Sequence, residues 1–132
     1  MDFLPKIMDA IETNIDMNAP LKVGLLEPAS SAAAIRTVSS GIVTRYMNGD
    51  AIYHIAFQIL IQDADQQRAV NILDDITDFL EGLTKDSIIS GNNSFVFVTS
   101  NVSVLPNLVQ KTDNDEYIYT AIYAAQLEKK GV

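Results

Sequence analysis

From Tyr53 onward the side chains alternate: Tyr53, Ile55, Phe57, Ile59 and Ile61 fall in one register, His54, Ala56, Gln58, Leu60 and Gln62 in the other. A strand turns its side chains over with period two, so the first set makes an unbroken apolar row that has to be covered. Upstream, Ile42 to Met47 meets this strand across Asn48-Gly49, a pair that accepts the two positive φ values of a type I′ turn, and a hairpin is predicted. After Gln62 the period changes. Ala69, Ile72, Leu73, Ile76, Phe79, Leu80 and Leu83 follow the three-and-four spacing of one helical stripe. Asp63 or Asp65 is placed to cap this helix, Asp63 and Gln66 having capping-box spacing, and Gly82 suits a left-handed C-cap. Its length, roughly 25 Å at 1.5 Å per residue, matches the reach of a long strand, so the stripe can lie over the apolar row.

The same reading extends to both ends. Leu4, Ile7, Met8, Ile11 and Ile15 share a face of a first helix, in whose opening turn Pro5 does no harm because no N–H is needed there. Leu21 to Leu26 reads as a short first strand, and 28–34, small and uncharged, as a loop. Ile35 to Met47 forms the next strand, with a bulge at Ser39-Ser40-Gly41. Ser87 to Ser94 is a polar connector, followed by a strand from Phe95 through Val104 that stops at Pro106. An extended polar loop is expected over 106–115. Glu116 to Leu127 is the last strand, with Tyr117, Tyr119, Ala121, Tyr123, Ala125 and Leu127 in one apolar register. The order α-β-β-β-α-β-β favours an α+β fold, a two-layer sandwich with a mostly antiparallel sheet and two helices on one face. At 132 residues a single domain over 1–132 is expected.

Two helices can cover only one sheet face. The other registers hold Ile52, Leu60, Ile118, Ile122 and Ala124, with Val96, Val98, Val102 and Val104 in the fourth strand, so the remaining face is partly apolar. Such a surface usually takes a partner. Ile52, Leu60, Ile118 and Ile122 are the expected oligomer contacts, unless loops 28–40 or 105–115 fold over them.

Composition narrows the chemistry. With no cysteine and one histidine, disulfides, thiolate metal sites, cysteine nucleophiles and paired-imidazole sites are excluded. The net charge of −8 argues against a tight grip on nucleic-acid phosphate or anionic lipid. No apolar run has the length of a membrane span, and Asp2 and Asp9 stand where a signal peptide would be basic, so a soluble protein folded inside the cell is expected. Asp74, Asp75, Asp78 and Glu81 cluster on the long helix, where a hard cation would find oxygen ligands, but such a face is usual opposite an apolar stripe. Asp113 to Glu116 opens like a calcium loop yet has Ile118 where the bending glycine belongs. His54 lies in a strand with no nucleophile elbow in the chain, and Tyr117, Tyr119 and Tyr123 lack the basic groove that base-stacking aromatics accompany. Neither an enzyme nor a cofactor is expected.

The run from Phe57 to Leu73 carries an Ile- and Phe-rich strand, a Gln-Asp exit, an Asp-Gln-Gln helix start and an Ala-x-Asn-x-Leu entry to the apolar stripe. This junction resembles that of the minor capsid and tail terminator proteins of long-tailed bacteriophages and prophages. The resemblance implies a structural virion protein without catalytic residues, folded in the host cytoplasm before it joins the virion. It further implies a ring, commonly a hexamer, that closes the tail tube, meets the head connector and lets DNA pass through its lumen without specific binding. Two other readings compete with it: a small monomeric or dimeric ligand-binding module with an enclosed pocket, and a metal enzyme using Asp74, Asp75 and Asp78.

Overall fold

The computed structural model describes residues 3–24, 26, 31–45, 51–85, 87–91 and 95–129, with backbone alone at 39–45. Helix α1 (Phe3–Asn14) is followed by β1 (Leu21–Val23), β2 (Ala32–Arg45) and β3 (Ala51–Asp63), then by α2 (Gln66–Glu81), β4 (Val96–Lys111) and β5 (Tyr117–Lys129). The five strands form one sheet in the order β1-β2-β3-β5-β4. Only the β1–β2 pair is parallel. Since β3 and β4 both run antiparallel to β5, the β3–α2–β4 crossover leaves a gap between parallel strands that β5 fills. Its place inside the sheet, paired on both sides and covered by the helices, explains why a full register of β5 is apolar or aromatic.

Both helices cover the same face. Phe3, Ile7 and Ile11 of α1 and Ala69, Ile72, Leu73, Ile76 and Leu80 of α2 pack with Ile35, Phe57, Ile59, Ile61, Ala121, Tyr123 and Leu127 in one core. Fully burying each Ile or Leu contributes on the order of 1.5–3 kcal/mol. That burial, rather than intrinsic propensity, is what holds a helix of α2's length against its ordering cost. Phe3 meets Phe57 and Phe95 edge-to-face, at centroid distances of 5.9 and 5.7 Å, pinning the start of α1 to the sheet. The predicted row on β3 is buried from Phe57 to Ile61, while Tyr53 and Ile55 are half-buried.

The local expectations are decided in turn, one of two N-cap candidates being borne out and the left-handed C-cap corrected. Asp65, not Asp63, is the N-cap of α2, its carboxylate accepting from the Gln67 and Arg68 N–H groups. Asp63 is instead a buried tie: its Oδ1 accepts the Asp65 N–H at 2.8 Å, and its Oδ2 accepts from Asn18 Nδ2 at 3.0 Å and the Ser31 hydroxyl at 3.4 Å. Arg68 Nε lies 3.8 Å away. Gly82 is right-handed (φ −83°, ψ −7°), its N–H closing back on Asp78 and Phe79, so no positive φ is needed there. Positive φ falls at Gly24 (105°) and Asp115 (60°). The first bends the chain out of β1 after Val23, earlier than the apolar pattern indicates.

Both expected loops give part of their length to strands. Residues 32–34 open β2, where Ala33 sits opposite both Leu21 and Ile61. Small side chains there allow three strands to meet rather than loosening the chain. The stretch to Lys111 continues β4, so only 112–116 turns. In β2 the register shifts between Thr37 and Ser40, at the predicted bulge. The Asn48-Gly49 turn and residues 28–30 lie outside the described residues.

Candidate assembly surface

The uncovered face of the sheet carries the second register of each strand. Here Ile52 lies opposite Glu128, Leu60 opposite Thr120, Ile118 opposite Gln62, and Ile122 opposite Gln58. Ile52, Leu60 and Ile122 are half-buried and Ile118 is buried, so Ile118 has little surface left to offer. A polar row divides them. Arg36 Nε donates to Gln58 Oε1 at 2.9 Å, Gln58 Nε2 donates to Thr120 Oγ1 at 2.8 Å, and Thr120 Oγ1 donates to the Ile59 carbonyl at 3.1 Å. The face is thus a mosaic and not a continuous apolar sheet. The 31–40 and 105–111 segments do not roof it, because they are strands of the sheet itself.

The larger apolar exposure is at the sheet's edge. Val104, Leu105, Leu108 and Val109 are 41%, 67%, 48% and 52% exposed, all on the second half of β4. Helix α2 crosses the sheet obliquely: at its start Gln66 hydrogen-bonds the Tyr119 hydroxyl of β5, and at its end the Leu80 carbonyl accepts from Ser100 of β4. Only the first half of β4 therefore lies under the helix. Beyond Val102 the strand shifts register against β5 between Val102 and Val104, between Val104 and Asn107, and between Leu108 and Gln110. These shifts separate the valines that period two would align. Val102 pairs with Tyr123 and packs against the core, whereas Val104 pairs with Ile122 on the open face and joins the edge to it.

The edge was hidden from pattern reading because Pro106, Asn107 and Gln110 look like loop residues. A readable signal was available: no charged residue or histidine occurs from Ser87 to Gln110 in a chain that is 20% charged. Exposed edge strands are ordinarily guarded by such charges.

The other candidates stand apart from one another. Asp74, Asp75 and Asp78 are exposed on α2, and among the described residues no group of three or more His, Asp or Glu is arranged to hold a metal. His54 is exposed on the open face, opposite Gln126. Asp113 and Asn114 form the tip of the β4–β5 hairpin, closed by Thr112 N–H donating to the Glu116 carbonyl at 2.7 Å. Tyr119 and Tyr123 belong to the core. The Tyr123 hydroxyl is 2.8 Å from Thr77 Oγ1, which donates to the Leu73 carbonyl. Burial pushes this hydroxyl up to about 12 against the pull of the Thr77 hydrogen bond, with the Asp74 and Glu81 charges adding to the rise. An open groove of about 400 Å³ lies at the end of α1, lined by Glu12, Ile15 and the turn 16–20.

Val104, Leu105, Leu108 and Val109 lie along a strand edge and do not converge in a cleft. The chain belongs to the bacteriophage tail terminator family, whose profile matches residues 9–129, and it is a structural protein of the phage virion. No curated protein sequence matches it. Among solved structures it is similar to a chain in the virion of a native gene transfer agent particle, at a TM-score of 0.53 and 12% identity over 92% of this chain and 84% of that one. At that identity the likeness speaks for the fold.

Proposed function

We propose that the chain is the subunit of a hexameric ring that closes the end of a phage tail tube and meets the head connector, with DNA passing through its lumen. The ring acts by shape and contact, without catalysis, and its subunits fold in the host cytoplasm before joining the virion. The observation that carries this reading is the uncharged apolar edge of β4, continuous through the Val104–Ile122 pair with the open sheet face. A closed ring needs contacts that repeat by rotation, and surface of this kind supplies them. Ile52, Leu60 and Ile122 add half-buried apolar area on the open face, with Ile118 beneath it. The net charge of −8 suits a passage for DNA, because an acidic wall releases no counterions from phosphate and gives sliding DNA nothing to adhere to.

The test is to mix the purified chain with tail tubes and image the tube ends by negative-stain electron microscopy. The expected result is a six-fold collar on one end of each tube, and no retention of duplex DNA at physiological salt. Bare tube ends at saturating protein, or tight salt-sensitive DNA binding, would overturn the proposal.

A further inference from the structure

We draw no further inference here: the strongest candidate, the open groove at the end of α1 lined by Glu12, Asp16 and Asn18, carries nothing, because two exposed carboxylates alone do not make a site and Asn18 Oδ1, which among the described residues has no hydrogen-bond partner, is buried away from the solvent a ligand would come through.

Discussion

Replacing Tyr123 by Phe tests how the helical layer is joined to the sheet. Tyr123 is fully buried, and its hydroxyl meets Thr77 of α2 at 2.8 Å. Near neutral pH the variant should lose about 1 kcal/mol, because a net hydrogen bond disappears while Thr77 keeps its bond to the Leu73 carbonyl. The sign changes in alkali. The buried hydroxyl holds its proton up to about 12, whereas in the unfolded chain it ionises near 10. Below pH 10 both states are protonated and the group adds no pH dependence. Between the two values the unfolded state binds fewer protons, so stability falls as pH rises, by about 1.4 kcal/mol at pH 11 and toward a limit of about 2.7 kcal/mol above pH 12.

The parent's advantage over Tyr123→Phe should therefore be present at pH 8 and gone, or slightly reversed, at pH 11. Urea titrations at pH 8, 10 and 11 read this directly. With a slope near 2 kcal/mol/M, the difference between the two midpoints should move by roughly 0.7 M across the series. Comparing the two proteins at each pH cancels the other ionisations. A difference independent of pH from 8 to 11 would show that the hydroxyl is not desolvated in the folded state and would refute the packing of α2 on β5.

Other substitutions address the junctions and the metal alternative. Asp65→Ala should cost about 1 kcal/mol in urea unfolding, the usual worth of an N-cap, and Asp65→Asn much less. Asp63→Ala should cost more, about 2–3 kcal/mol, because it removes a buried charged acceptor tying Asn18 and Ser31 to the start of α2. Asp115→Gly should raise stability by up to about 1 kcal/mol by relieving its positive φ, and Gly24→Ala should lower it by a similar amount or more, both read as melting shifts. Millimolar magnesium or calcium should leave the melting temperature unchanged, equally in the parent and in Asp74→Asn/Asp78→Asn. A shift present only in the parent would revive a metal site on α2.

The elements that could be read from the chain are those whose reason is local. The stripe from Ala69 to Leu80 and the alternations through Phe57–Ile61 and Tyr119–Leu127 are repeats of helix and strand geometry. Each carries its own need for cover, and tertiary structure supplied that cover on the expected face. The two-layer α+β arrangement followed, as did the junction at Phe57–Leu73 that resembles the tail terminator family, to which residues 9–129 belong. Gly82 failed as a left-handed cap because a glycine permits positive φ without requiring it.

What the chain alone left open is decided by neighbours distant in sequence. Ala32 to Ala34 have no periodic signal, and they become strand only because β1 and β3 supply hydrogen-bond partners on both sides. Residues 106–111 look like loop, and β5 makes them strand. Whether Val102 or Val104 faces the core depends on bulges whose position is set by pairing with β5, and a one-residue slip turns a side chain to the other face. Which part of β4 stays bare depends on the oblique path of α2, a property of packed layers. Periodicity and charge thus determined the elements, the layering and the acidic character of the protein, while the location of its exposed apolar edge was decided by tertiary structure, since exposure belongs to the spaces between elements.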